Sequence, residues 1–431
     1  MESSTFQNRG SFSAVKVCFV VVLFILSLAS FVLQTELTSI LFIKYEYNDP
    51  FFVMLLTHSC WWLLWPIQFL SVAIYKTLKR YRLHKKGQNL LHGKRWKGFR
   101  RAFTSSIKTQ HRNVAHTAEL TAANNHPNYI NEFPDRGFRR YVDFLRSGAL
   151  FHLFKSALLL CLVLNVAGGT WFVAMKLSTG ADVTAIYNCS AFAAYCFSIP
   201  ILHDTFSWVK MSSVLTAISG VMIVAYGGQQ TGDETQEYPH RLSGNLIILV
   251  GAILYGLYEV LYKRKCCPPS GIVSARREAT FSNFIMGLVG INSCALLCTG
   301  LLFAHLLGLY SVKIPANAST WWLIWISVFS NAVFSLSFLG LMSLTSPVFS
   351  SVSSLLTILL VGFSEWWFRG IALGWYKFFG YCLVMVGFAL LTYASWSEIS
   401  EEDTDDQLLD TDTESSYSTL PGTESSGFGI Q

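Results

Sequence analysis

Charge is what this chain has least of. Asp, Glu, Lys and Arg make up 13% of its residues, against roughly a quarter in a soluble domain, so an ordinary water-soluble fold is excluded. Catalytic signatures are missing as well. There is no G-x-x-x-x-G-K-[ST] stretch, no H-E-x-x-H and no G-x-S-x-G, which argues against ATP-driven transport, zinc-dependent hydrolysis and nucleophile-elbow chemistry. No cluster of His, Asp or Cys stands at helical spacing, so an enzyme is not expected and nothing asks for a cofactor or a metal. The ten cysteines are scattered, mostly within apolar stretches, without a paired set that would frame disulfides. Cys266-Cys267 follows Lys263-Arg264-Lys265 and fits either S-palmitoylation or two ordinary loop cysteines.

Apolar length is abundant instead. The chain is 52% hydrophobic and 15% aromatic, and its long runs each approach the roughly 20 residues that a bilayer-crossing helix needs. They cover 17–42, 51–75, 153–175, 182–202, 209–226, 243–262, 280–303, 320–342, 347–367 and 374–396. No water reaches the hydrocarbon to satisfy free backbone groups, so each run is expected to be helical. The predicted fold class is all-α integral membrane, with ten transmembrane helices. The first run is too long for a removable signal peptide and lacks an A-x-A-type cleavage site, so it reads as a signal anchor.

Between Tyr75 and Arg112 stand thirteen Lys/Arg and no Asp/Glu, and Lys263, Arg264, Lys265, Arg276 and Arg277 repeat the bias after the sixth run. The positive-inside rule puts both loops in the cytoplasm, and both termini with them. The division is then a cytoplasmic N-terminus (1–16), two spans (17–75), a basic cytoplasmic loop (76–150), spans three to five (151–228), a lumenal loop (229–242), a C-terminal five-span half (243–396) and a cytoplasmic tail (397–431). The Asn317-Ala318-Ser319 sequon falls on the far side.

The basic loop contains Pro127 and Pro134 and little apolar content, and is expected to be largely disordered. Within it Trp96, Phe99, Phe103 and Ile107 follow helical spacing among Lys94, Arg95, Lys97, Arg100 and Arg101. Such a helix can lie among anionic lipid headgroups; nucleic acid is the competing partner of so basic a stretch, but the bilayer tether argues against it. The tail carries ten Asp/Glu, no Lys/Arg and many Ser/Thr, and reads as disordered. Its Asp405-x-x-Leu408-Leu409 and Tyr417-x-x-Leu420 patterns look like signals read by sorting adaptors, which favours a vacuolar, late Golgi or endosomal membrane.

Ten spans divide into five and five, and an odd-numbered repeat inserts its second copy upside down. A shift of 167 residues pairs Met175 with Met342, Leu177 with Leu344, Trp208 with Trp375, Lys210 with Lys377, Gly220 with Gly387 and Tyr226 with Tyr393, and element boundaries coincide too. Polar residues at membrane depth are the candidates for function, because a charge there costs on the order of 3 kcal/mol and usually faces a wet cavity. Gln34 and Glu36 lie late in span one, and Tyr255, Tyr258 and Glu259 late in span six, with the two carboxylates as candidate counterparts. A carboxylate there could bind a cation or exchange a proton; the alternative is a span-end charge solvated by headgroups. Asn188, with Thr184, Tyr187 and Ser190, sits in span four, and Ser350, Ser351, Ser353, Ser354 and Thr357 in span nine, where cavity and packing compete. His58, Asn165 and Asn331 are further cavity candidates or interhelical hydrogen bonders. Asp182 reads as a helix N-terminal charge, Glu365-Trp366-Trp367 as an interfacial anchor, and Gly168-Gly169 as a packing site.

The segments LQTELTSILF, YNDPFFVMLLTHS, LSTGADVTAIYNCSAF, GNLIILVGAILYGLYEVLYKRK and GWYKFFGYCLVMVGF resemble the drug/metabolite transporter superfamily. Within it the chain is similar to solute-carrier-family-35-like proteins of the F type, including fungal vacuolar and thiamine-repressible relatives. The resemblance covers 17–75 and 150–396. It implies alternating access, with a small-molecule substrate held between two inverted five-helix repeats near Gln34, Glu36, His58, Asn188, Tyr255, Tyr258 and Ser353. Lysine-rich nucleotide-sugar signatures are absent from the spans, which argues against such a substrate. The expected function is a secondary transporter of a small polar metabolite in an intracellular membrane. The alternative is a non-transporting receptor or scaffold acting through the loop and tail.

Overall fold

The computed structural model describes residues 9–47, 49–85, 98–125, 146–178, 180–226, 240–269, 272–273, 275–345, 347–360, 374–376 and 378–394, and among these no strand occurs. Helix α1 is Arg9–Ile43; α2 (Pro50–Ser59) runs through a 3-10 turn (Cys60–Leu63) into α3 (Leu64–Lys85). Then come α4 (Phe99–Asn125), α5 (Gly148–Leu177), α6 (Gly180–Tyr187), α7 (Ser190–Leu202) and α8 (Trp208–Tyr226). The C-terminal part holds α9 (Arg241–Cys266), α10 (Ala275–Leu306), α11 (Ala318–Leu344), α12 (Pro347–Ser354) and α13 (Phe378–Ala394).

Among the described residues, seven helical stretches are long and apolar enough to cross a membrane, and they fall on expected spans one to four and six to eight. Spans five and ten correspond to the shorter apolar helices Trp208–Ile223 and Phe378–Ala394. Only the first part of span nine lies within the described residues; Glu365, Trp366 and Trp367 lie outside them, as do residues 229–239 of the loop expected at 229–242 and the tail. The chain is thus an all-α membrane protein.

Span four is not one continuous helix. It breaks at Asn188-Cys189, two residues of weak helix propensity. Span nine breaks at Leu355-Leu356, 167 residues further on. The local bonds match as well. Ala191 N–H donates to Asn188 O and Phe192 N–H to Cys189 O, while Ile358 N–H donates to Leu355 O and Leu359 N–H to Leu356 O. Leu355 and Leu356 are good helix formers, so nothing in those two side chains announced the second break.

Helices α8 and α13 meet at glycines in the same register. A Cβ on Gly220 would lie 2.6 Å from Gly380 O and 2.8 Å from Val384 N; one on Gly387 would lie 2.7 Å from both Ser213 O and Ala217 N. Each glycine therefore seats on the partner helix at the positions 167 residues from those that receive it. Only a residue without Cβ lets two backbones approach so closely.

The expectation of disorder in the basic loop is corrected for Phe99–Asn125, a 27-residue helix. Its buried positions Ala102, Ser106, Gln110, Val114, Ala118 and Ala122 recur every four residues and pack against α3, α5, α9 and α10. That face is built of small residues, so a search for large apolar side chains overlooks it. Phe99 is exposed, and Phe103 and Ile107 are only half-buried, so the predicted apolar stripe is not the docked face; Trp96 lies outside the described residues. Gln110 Nε2 donates to Phe69 O (3.1 Å), Asn125 Nδ2 to Lys265 O (3.3 Å) and Arg277 Nε to Thr117 Oγ1 (2.9 Å). Cys266 and Cys267 are buried beside it, which removes them as accessible acylation sites.

At the other end of the bundle Asp182 is more than a helix-terminal charge. Arg241 Nε and Nη2 donate to its two oxygens at 2.6 and 2.8 Å, and Asn245 Nδ2 adds 2.9 Å, joining α6 to α9. Asp49 caps α2 through Phe52 N–H (2.9 Å) and also accepts from Lys313 N–H (2.9 Å) and the Tyr310 hydroxyl. Burial, with the Asp49 bond second, raises the Tyr310 phenol well above its ordinary range.

Candidate functional site

A cavity of about 600 Å³, mouth included, opens among the helices. Helix α1 contributes Phe31 and Gln34, α2 and its 3-10 turn His58 and Trp61, and α5 Leu164, Gly168, Trp171 and Phe172. Tyr187 of α6, Tyr255 and Tyr258 of α9, Met286 of α10, and Asn331, Phe334, Ser335, Phe338 and Leu339 of α11 close it. Nine of these side chains are Phe, Trp or Tyr, so the walls offer ring faces more than charges. Tyr187 and Tyr255 rings lie 5.0 Å apart, Tyr255 and Tyr258 5.6 Å, and Phe334 and Phe338 5.2 Å, within the range of favourable aromatic pairs.

The wall is built twice in the same register. Leu164, Gly168, Trp171 and Phe172 stand 167 residues before Asn331, Ser335, Phe338 and Leu339, and all eight line the cavity. Phe31 and Gln34 stand 224 residues before Tyr255 and Tyr258, which also line it. The first spans of the two parts keep a different offset because the basic loop is present in only one of them.

A polar chain crosses the aromatic wall. Asn165 Nδ2 donates to the carbonyl of Cys161 (2.8 Å) and to Ser293 Oγ (2.8 Å). A carbonyl only accepts, so the amide nitrogen must face it and Oδ1 must face His58 Nδ1, at 2.9 Å. His58 thus carries its proton on Nδ1, which leaves Nε2 as an acceptor on the neutral ring. The same logic runs through the second half of the chain. Trp61 Nε1, a pure donor, reaches Asn331 Oδ1 (2.7 Å), so Asn331 Nδ2 donates to Gln34 Oε1 (3.2 Å) and the Gln34 amide nitrogen remains to donate elsewhere. His58 stacks on Trp61 with centroids 4.2 Å apart, linking the two segments. Gly168 makes room for it: a Cβ there would lie 2.5 Å from His58 Cε1. Trp171 Nε1 is buried without a hydrogen-bond partner among the described residues, as are Asn188 Nδ2 and Thr184 Oγ1.

The family model described as CSG2, ceramide synthase regulator, matches residues 7–394. The chain belongs to that family. Its curated relatives are of the drug/metabolite transporter, solute-carrier-35-like kind, in agreement with the resemblance drawn from the spans. An uncharacterized transporter of Schizosaccharomyces pombe is 28% identical over 52% of this chain and 65% of its own length. A thiamine-repressible mitochondrial transport protein of Saccharomyces cerevisiae is 22% identical over 58% of this chain and 65% of its own. An uncharacterized vacuolar membrane protein of the same yeast is 27% identical over 36% of this chain and 38% of its own. The matched segment spans less than two thirds of each of these relatives, and the two named as transporters support a membrane transporter role.

Of the residues singled out in the sequence, Gln34, His58, Tyr255, Tyr258 and Asn331 line the cavity. Glu36 is half-buried and off its wall, two residues past Gln34 and so turned to another face of α1. Glu259 also lies off the wall, yet it is fully buried and within electrostatic reach of Tyr187, Tyr255 and Tyr258. The headgroup-solvated reading of Glu259 is thereby corrected. The offset of 224 sets Thr35, not Glu36, against Glu259, so the two carboxylates are not counterparts. Asn188 is buried beside the wall rather than in it, and Asn165 is an interhelical hydrogen bonder that holds His58. The side chain of Ser353 lies outside the described residues; Ser350 is buried and within 3.3 Å of Thr345 Oγ1, a packing role. Sequence reasoning missed Phe31, Trp61, Trp171, Phe172, Phe334 and Phe338. Applying the 167-residue shift to the aromatic positions as well as to identities would have paired Trp171 with Phe338.

Proposed function

We propose that this protein is a secondary transporter working by alternating access, built as two inverted five-helix repeats, with the aromatic cavity as its substrate site. One observation carries the reading: twelve of the seventeen residues lining the cavity stand at matching positions of the two parts. The breaks in spans four and nine and the reciprocal seating of Gly220 and Gly387 support the same pseudo-twofold. Such repeats place a site on the symmetry axis, where rocking of one half exposes it to either side in turn. The substrate is a small metabolite with a flat ring that can lie between Tyr, Trp and Phe faces and meet the amide of Gln34 and Nε2 of His58. Burial of Glu259 behind the tyrosines supports it, more than Glu36, as the coupling carboxylate. Relatives named for vacuolar and mitochondrial membranes support an intracellular membrane.

Reconstitution into vesicles tests this. Counter-stimulated, saturable uptake of a ring-bearing metabolite, lost in Tyr255→Ala with folding intact, is the expected result. Uptake without trans-stimulation, or untouched by that substitution, would refute it. The second reading, a non-transporting regulator of a lipid-modifying enzyme, is favoured by the family description. It predicts co-purification with a ceramide-handling enzyme and no flux of any solute.

A further inference from the structure

The outer face of α4 is a cationic stripe. Arg101, Ser105, Lys108 and Arg112 succeed one another at four-, three- and four-residue spacing and all are exposed, while the opposite face of small residues is docked on the bundle. Lys79, Arg82 and Lys85 at the end of α3 are exposed as well, and no acid lies anywhere from 75 to 112. A helix that turns its basic side away from the helices it packs on offers that side to a solvated anionic partner.

The chain carries such a partner on the same side of the bundle, as five contacts indicate. Asn125 of α4 bonds Lys265 at the C-terminal end of α9. Helix α9 meets α6–α7 at Arg241–Asp182 and at Gly256–Ser190, so α7 runs parallel to α9 and ends beside Lys265. Helix α8 starts there, five residues later. The Gly220–Gly380 and Gly387–Ser213 approaches make α13 antiparallel to α8, so Ala394 emerges at the α4 end. The segment that follows holds nine Asp/Glu between Glu398 and Glu414 and no Lys/Arg. A coil of about 20 residues spans roughly 25 Å, which puts those carboxylates at millimolar effective concentration around the exit point.

We propose that the stripe Arg101–Lys108–Arg112, with the basic end of α3, is the docking surface for the acidic segment 398–414 of the same chain. Many weak charge pairs then act together, and salt weakens them in concert. The docked segment rests on a helix that itself ties α3 to α9 and α10, so occupancy bears on the cytoplasmic end of the bundle.

The test uses the full chain in neutral-lipid nanodiscs, with photoreactive benzoylphenylalanine in place of Leu409 and mass spectrometry of the cross-links. The expected result is cross-linking to peptides covering 98–112, reduced about tenfold by Arg101→Glu with Lys108→Glu and by high salt. Cross-linking should return when Glu401→Lys, Glu402→Lys and Asp403→Lys are added to the reversed stripe. Unchanged melting of each variant shows that folding is intact. Cross-links that ignore the charge reversal, or that scatter over the surface, overturn the proposal. So does their loss when the discs contain anionic lipid, because the stripe then belongs to headgroups.

Discussion

Substitution of either glycine at the α8–α13 contact tests the repeat architecture directly. A Cβ at Gly220 meets Gly380 O at 2.6 Å and Val384 N at 2.8 Å, and one at Gly387 meets Ser213 O and Ala217 N at 2.7 Å. Backbone atoms cannot rotate aside, and an ordinary contact begins near 3.4 Å. Gly220→Ala must therefore separate the helices by about 0.8 Å and Gly387→Ala by about 0.7 Å, distortions that cost on the order of 1–3 kcal/mol in a packed interior. The two costs should be nearly equal because the contacts are equivalent. The double variant should cost clearly less than their sum, since the separation forced by the first Cβ already accommodates the second. Thermal unfolding of detergent-solubilised protein, followed by fluorescence-detected size exclusion, reads this as two similar drops in Tm and a smaller third step. Strict additivity, or one glycine neutral and the other severe, would show that the two positions are not related and sink the reasoning.

Four further outcomes are expected. Breaking the Asp182–Arg241 bridge with Arg241→Met leaves a buried carboxylate and should cost about 3 kcal/mol, whereas Asp182→Leu with Arg241→Met should cost less in the same melting assay. Trp171→Phe removes an N–H that has no partner among the described residues, so stability should hold or rise while substrate affinity falls if that N–H serves the ligand; a large loss of stability contradicts the assigned geometry. Asn165→Leu removes the acceptor of His58 and should abolish uptake with a stability loss of about 1–3 kcal/mol, and full activity would exclude a role for the Asn165–His58 bond in transport. Burial lowers the His111 pKa below its usual value, so the unfolded chain takes up a proton before the folded one does. Stability from α4 docking is then fully present above the ordinary histidine range and declines as pH falls through it towards the lowered value. Hydrogen exchange in 99–125 should rise in that window, and His111→Gln should flatten the response.

The membrane fold was legible because hydrocarbon permits so few backbone arrangements: apolar length alone located the seven long apolar helices among the described residues, while the break at Asn188-Cys189 inside the fourth run was not legible. The start of α4 showed in its helical spacing but its docked face did not, since Ala102, Ser106 and Ala118 are small, and their value as a packing face exists only beside α3 and α5. Half of the site followed the same division. Gln34, His58, Tyr255, Tyr258 and Asn331 stood out as polar groups at membrane depth, and the cavity includes them. Phe31, Trp171 and Phe338 are indistinguishable in sequence from lipid-facing aromatics, and Glu259 read as the more solvent-facing of the two carboxylates until it proved fully buried.

By itself, then, the order of residues determined which stretches are helical and apolar, because those properties are local and set by transfer from water. Which side chains face one another across the cavity, which carboxylate is enclosed and which rings form a wall were decided by tertiary structure alone. Those are questions of helix rotation and contact between segments hundreds of residues apart, and hydropathy carries no information about either.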